Sequence, residues 1–364
     1  MLTISLCMIV RDEEETLARC LRSAAPIADE IIVVDTGSTD KTPDIAAQFT
    51  DKVLHFDWID DFAAARNFSF EQAVCDYCMW LDADDVLPEK SAAVLLRLKR
   101  EMDPDTDVVM LPYHTAFDEE GNATFTYYRE RLVRRQKGLR WVGEVHEAIP
   151  PQGRVLYAEA PVEHRKVKPR EPGRNRRIFE SILRRGGTLD ARQRFYYARE
   201  LLDTGEAGKA AELFADLLSK REGWTPNLIE ACRQLASCYQ VLGMRDKVLP
   251  ALLQGLSFGP PRAELCCALG GYFLENGPLD AAVFWYETAL SRPEDAKTGG
   301  FVNRDCRGYI PLMQLCLCYD RLGQKEKAAR YNERAGRIKP HDAAYLHNKQ
   351  YFQGVLSASS PGDD

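Results

Sequence analysis

Between residues 3 and 81, four short apolar runs (3–10, 30–34, 52–56 and 77–81) alternate with helical segments at 13–24, 42–49 and 61–74. This rhythm predicts a mostly parallel sheet with helices on both faces, an α/β fold. In the first helical segment Leu17, Cys20 and Leu21 recur on one face, as packing against a sheet requires. Sheets of this kind take ligands at the carboxyl ends of their strands.

All four strand ends are polar or acidic: Arg11, Asp12, Glu13 and Glu14 follow the first, Asp35 to Asp40 the second, Asp57, Asp60 and Asp61 the third, and Asp82, Asp84 and Asp85 the fourth. One such end is ordinary turn chemistry; four together describe a site. Asp35 is suited to the imide N–H of uracil or to ribose hydroxyls, Gly37 permits a tight turn, and Ser38 or Thr39 can cap the next helix. Asp82 and Asp84 are two residues apart, so in an extended segment both carboxylates emerge on one side, where they can hold a divalent ion against a diphosphate. Asp85 then faces away, toward backbone amides of a helix starting at Pro88. Val10, Arg11 and Glu13, Asp35 and Ser38, and Asp82, Ala83 and Asp84 are therefore candidate nucleotide and donor contacts.

Further on, residues 108–112 and 124–135 read as strands around a turn containing Gly121. After them come LRWVGEVHEAI and AEAPVEHRK. Inversion at an anomeric carbon requires a carboxylate to take the acceptor's proton, and Glu147 and Glu144 are the candidates.

The segments LCMIVRDEEETLARCL, DEIIVVDTGSTDKT, DDFAAARNFSFEQA and WLDADDVL occur in this order and resemble the successive motifs of inverting family 2 glycosyltransferases of GT-A fold over about the first 165 residues. The resemblance implies that Asp35 contacts the nucleobase, that Arg66 lies near the nucleotide and donor sugar, and that Asp82 and Asp84 bind Mn²⁺ or Mg²⁺ with the diphosphate of a UDP-sugar. The VHE triplet resembles one recurring in a subgroup of that family, which favours Glu147 as base with His146 beside it. His164 resembles the late histidine that completes the metal or diphosphate shell. The chain departs from the pattern at HRKV, where the family often has His-x-Gly-Tyr.

Near residue 170 the character changes. RKVKPREPGRNRR reads as a linker whose Arg174 and Arg177 could reach the donor phosphates. Beyond it, helical segments meet at Gly205, Gly243, Gly277 and Gly323, spaced 38, 34 and 46 residues apart. Five residues after each stand Ala210, Val248, Ala282 and Ala328; twelve after, Leu217, Gly255, Ala289 and Ala335; seventeen after, Glu222, Pro260, Glu294 and Pro340. Small residues where paired helices touch resemble the tetratricopeptide pattern, in about four degenerate copies. The expected organisation is a GT-A domain over 1–168, a linker or first helix over 169–189, repeats over 190–352 and a disordered tail over 353–364.

The layout is similar to the peptide S-glycosyltransferases of glycocin biosynthesis, which implies a peptide or protein acceptor modified at Cys, Ser or Thr, and a homodimer through the repeats. A cell-surface polysaccharide or lipid-linked acceptor is the alternative. A silent adaptor would show broken acidic motifs, and a nucleotidyltransferase a Gly-rich basic loop after Val10; neither is seen. A net charge of −7 argues against a generic nucleic-acid binder. No run of about 18 apolar residues predicts a membrane span, and the N-terminus lacks the basic and small-residue flanks of a signal peptide, so a cytoplasmic enzyme is expected. Eleven irregularly spaced cysteines fit reduced thiols better than a structural zinc site.

Overall fold

The computed structural model describes residues 1–168, 171–293 and 300–358, and these fall into two compact units, one running to Glu200 and one beginning at Leu201. In the first, β1 (Ile4–Val10), α1 (Leu17–Ala24), β2 (Glu30–Asp35), α2 (Thr42–Ala46), β3 (Val53–His55), α3 (Phe62–Glu71) and β4 (Tyr77–Trp80) follow the expected alternation. Then come β5 (Asp85–Val86), α4 (Glu89–Glu101), the long pair β6 (Val108–Phe117) and β7 (Ala123–Arg134), β8 (Val155–Tyr157), β9 (Val162–His164), α5 (Arg174–Arg184) and α6 (Ala191–Asp203). The sheet order is β3-β2-β1-β4-β7-β6-β9-β5, with β8 beside β6. The first four are parallel; β7 runs antiparallel to β4 and β6.

This order places the ends of β2, β1 and β4 side by side. Val10 pairs with Asp35, and Cys7 with Trp80, so the acidic loops leave one edge of one sheet. Beneath them Leu6, Met8, Leu17, Leu21, Met79 and Leu81 are completely buried, because central parallel strands are covered on both faces.

The stretch 169–189, expected as a linker or first helix, contains the helix α5, which buries Ile178, Phe179 and Ile182. Residues 169 and 170 lie outside the described residues. Both α5 and most of α6 belong to the first unit.

The second unit contains α7 (Ala207–Lys220), α8 (Thr225–Val241), α9 (Arg245–Gln254), α10 (Ala263–Asn276), α11 (Leu279–Ser291), α12 (Tyr309–Arg321), α13 (Lys325–Gly336) and α14 (Ala343–Ala358), with sequential helices packed on one another. Ala210, Val248, Ala282 and Ala328 are buried, as are Leu217, Gly255, Ala289 and Ala335, which fits tetratricopeptide-like packing. Gly205, Gly243 and Gly323 turn in the left-handed region, whereas Gly277 is extended (φ −141°), as a residue preceding Pro278 tends to be. Glu294 lies outside the described residues. The tail expected from 353 is helical to 358, since Phe352 is buried and Leu356 packs against the same cluster; 359–364 lie outside the described residues.

Candidate active site

The first two loops are laced together by side chains. Asp35 accepts from the amides of Gly37 (3.1 Å) and Ser38 (3.1 Å). Ser38 Oγ accepts from the Asp12 amide (2.9 Å), and Asp12 Oδ1 accepts from the Thr39 amide (2.7 Å). Asp12 has a left-handed backbone (φ 54°), a conformation that Asp tolerates better than most residues. The Asp35 carboxylate therefore shapes its own loop. Val10 is buried with its carbonyl accepting from the Thr36 amide, while Arg11 is half exposed beside Asp12. Glu13 accepts from Thr16 Oγ1 (2.6 Å), and burial raises its pKa.

The acidic loop after β4 is a turn, not an extended segment: the Asp85 amide donates to the Asp82 carbonyl at 3.0 Å. The expected common direction of Asp82 and Asp84 is thereby corrected. Asp82 Oδ1 accepts from Arg66 Nη2 (2.7 Å), whereas Asp84 Oδ1 lies 3.2 Å from His164 Nδ1. Ala83, between them, is buried.

Asp85 also differs from expectation. It accepts from the Asp82 amide (3.0 Å), Arg131 Nη1 (2.9 Å) and the Tyr113 hydroxyl (2.8 Å), not from the helix after Pro88. Asp85 and Arg131 are both completely buried, and the Arg131 guanidinium lies 3.7 Å over the Trp80 ring. A buried pair of this kind is secure only while both members are present. It fixes the turn from below.

Asp84, Asp85 and His164 place three ligand atoms within 4.8 Å of one another. Burial opposes charge on His164, but its bonds to Asp84 and Asp85 outweigh that and hold its pKa up to about 10. Without an ion the imidazole thus keeps its proton between the two carboxylates; a divalent ion such as Mn²⁺ or Mg²⁺ would displace that proton and take the neutral ring nitrogen together with carboxylate oxygens. A divalent ion fits this donor set. Asp82 stands apart from it through Arg66, and Asp85 shares its carboxylate with the Asp82 amide, Arg131 and Tyr113.

Arg66 links the acidic turn to the candidate base. Its Nε donates to Glu147 Oε1 (2.7 Å) and its Nη2 to Asp82, while its guanidinium lies 4.9 Å from the Trp80 ring and 4.8 Å from the Trp141 ring. The side chain is 8% exposed, and Nη1 has no protein partner. Burial weighs against the charge on Arg66, but its two carboxylates push its pKa up; burial likewise opposes charge on Asp82, and Arg66 and Arg131 reverse this, bringing its pKa to about 2. Next to Arg66, Asn67 binds the Trp141 backbone through both its amide atoms at 3.0 Å, which secures one of the two rings that Arg66 packs against.

The other candidates are less central. Glu144 accepts from Arg185 Nη2 (2.6 Å). His146, counted among the candidate nucleotide and donor contacts as well as placed beside the base, has its Nε2 2.9 Å from Glu200 Oε1. Arg174 lies with its guanidinium 4.9 Å over the Phe62 ring. Arg131, Tyr113, Trp80 and Trp141 were not expected in the site. The only signal for Arg131 was a second arginine two residues after Arg129 in a β-rich run, a charge recurring at strand period.

The family described as "Glycosyl transferase family 2" matches residues 5–153. A TPR repeat-containing protein of Synechococcus elongatus is 33% identical over 337 residues, covering 90% of this chain and 76% of that protein. The SPbeta prophage-derived glycosyltransferase SunS of Bacillus subtilis is 30% identical over 148 residues, 40% of this chain and 34% of SunS. A lipopolysaccharide core biosynthesis glycosyltransferase, LpsC of Rhizobium meliloti, is 30% identical over 162 residues, 42% of this chain and 59% of LpsC. No helix among the described residues is long and apolar enough to cross a membrane, and all eleven cysteines are free.

Proposed function

The chain belongs to the TPR repeat-containing proteins and carries a family 2 glycosyltransferase domain, and from that premise we propose an inverting, metal-dependent enzyme that moves a hexose from a UDP-sugar to a Cys, Ser or Thr side chain of a peptide or protein. The observation that carries this reading is the Arg66 fork, which joins the candidate base Glu147 to the acidic turn at 2.7 Å on each side. A base and a leaving-group site must be close to one anomeric carbon, and a single guanidinium bridging both meets that need.

In this reading Asp35 and its loop receive uracil, and Asp84 and His164 hold the divalent cation. The cation supplies charge neutralisation for the departing diphosphate. Arg66, always charged and packed against two indole rings, orients Glu147 and Asp82. Glu147 takes the acceptor's proton as the nucleophile attacks the anomeric carbon opposite UDP, which inverts its configuration. The likeness to SunS over the first domain supports glycosyl transfer. The likeness to LpsC supports a second reading, a saccharide or lipid-linked acceptor.

The test is UDP release from a panel of UDP-sugars with Mn²⁺ or with EDTA, comparing the natural sequence with Asp84→Ala, followed by intact-mass spectrometry of candidate acceptor peptides. Metal-dependent turnover of one donor, lost in the variant, is expected. A folded protein that binds and turns over no UDP-sugar refutes the donor assignment.

A further inference from the structure

Glu147 lies in a small closed loop. Val142 and Ala148 exchange both backbone hydrogen bonds (2.9 and 3.1 Å) at its neck, and Arg66 holds the Glu147 carboxylate from the α3 side. The residue before it has an unusual conformation: His146 is left-handed (φ 51°), a region that costs a side-chain-bearing residue on the order of 1 kcal/mol and persists only where surroundings enforce it.

Those surroundings come from α5 and α6. The His146 ring stacks on Tyr196 (centroids 4.2 Å apart, planes 13° apart), and its Nε2 is 2.9 Å from Glu200 Oε1 and 3.0 Å from Asn175 Nδ2. Asn175 Nδ2 also donates to Glu200 Oε1 (3.1 Å), and Arg192 donates to the His146 carbonyl through Nε (3.3 Å) and Nη2 (3.2 Å). Tyr196, Glu200 and Asn175 are all buried. The ring is thus gripped by its face and edge, and the peptide by its oxygen. None of these four partners falls within the segment matched by the glycosyltransferase family, which stops at residue 153.

We propose that Tyr196, Glu200, Asn175 and Arg192 form a clamp which, acting through His146, positions the Glu147 carboxylate for proton abstraction. They are positioning residues, and the inference rests on Glu147 being the base. One bond along the chain from a strained, doubly gripped residue, the Glu147 backbone has little freedom to rotate, and Arg66 fixes the other end of its side chain. A base displaced by about 1 Å loses on the order of 100-fold in rate without any change in donor binding. The helices that follow the glycosyltransferase segment are in this account a part of its catalytic apparatus.

The experiment uses the full chain, with UDP-glucose and Mn²⁺ as probe and UDP release as signal. Tyr196→Ala and Glu200→Ala are expected to lower kcat about 100-fold with KM for UDP-glucose within about twofold, Glu200→Gln to recover most of the rate, and neither Ala variant to reduce the rate further in a Glu147→Gln background. Hydrogen exchange of residues 142–148 reads the same clamp without a donor. It should quicken at least about tenfold in both Ala variants while β1 and β4 remain protected. Natural-like exchange in the Ala variants overturns the clamp, as does a rate loss that multiplies with that of Glu147→Gln. If Glu147→Gln itself turns over at the full rate, the base assignment fails first and takes the inference with it; an inactive Glu147→Gln beside fully active Ala variants rejects the clamp alone.

Discussion

Arg66 and Asp82, sixteen residues apart in sequence, meet at 2.7 Å through Nη2, and the same guanidinium donates to Glu147 through Nε. A planar fork can serve two carboxylates in fixed directions; an ammonium cannot. Arg66→Lys is therefore expected to keep the fold but lose at least about 100-fold in kcat for UDP release, nearly as much as Arg66→Ala. Steady-state kinetics decide it: a lysine variant within a few-fold of the natural rate removes the fork from the argument.

Mn²⁺ should stabilise the folded protein through Asp84 and His164. At a concentration about 100 times its dissociation constant a ligand of the native state adds about 2.7 kcal/mol. The melting temperature is expected to rise by several degrees with Mn²⁺, to fall back with EDTA, and to be insensitive to the ion in Asp84→Ala. Equal shifts in both proteins place the ion elsewhere.

The Asp85–Arg131 pair is completely buried, with no water-facing route for either charge. Arg131→Met leaves Asp85 uncompensated and is expected to cost about 3–5 kcal/mol in urea unfolding. Asp85→Asn with Arg131→Met should cost less than the sum of the single changes, because neither charge is then stranded. Additive losses contradict the pairing.

At the start of the sheet, Asp76 accepts from the Thr3 amide and hydroxyl, both at 2.8 Å, and these donors hold its carboxyl below the usual carboxylate range. A depressed folded-state pKa contributes stability that is present above the unfolded value, near 3.9, and is lost as pH falls through the lower folded value. Asp76→Asn should cost about 1 kcal/mol at pH 7 and progressively less below pH 4. Unfolding measured between pH 2 and 7 checks it; a difference constant with pH sinks the assignment.

In the helical unit, a Cβ added at Gly270 would lie 2.8 Å from Tyr286 Cε1 and Cζ, where α10 crosses α11. Gly270→Ala gains about 1 kcal/mol of helix propensity but must displace a buried ring, so a net loss of about 1–2 kcal/mol is expected. Gly208→Ala, where a Cβ meets nothing, should stabilise. Thermal unfolding of both variants tests the contrast.

Much of this protein is determined by local pattern. The alternation of apolar runs and helical segments is enough for a parallel sheet, because each element has a short-range preference that the sheet merely assembles. Asp35, Asp82 and Asp84 announce themselves because acidic residues at successive strand ends have no packing purpose. The small residues at fixed distances from Gly205, Gly243 and Gly323 likewise declare paired helices.

What the tertiary structure decided lies where contacts join distant segments. Asp82 and Asp84 part company because a turn at 83–84 breaks the two-residue periodicity, and Arg66, from α3, claims one of them. Asp85 faces inward because Arg131 and Tyr113, 46 and 28 residues away, arrive from β7 and β6 to satisfy it. His146 is held where it is because Tyr196 and Glu200 offer it a stacked ring and a carboxylate. Hydrogen-bond and ion-pair partners are chosen by proximity in space, and proximity between segments 50 residues apart is a property of the fold rather than of any local run of residues.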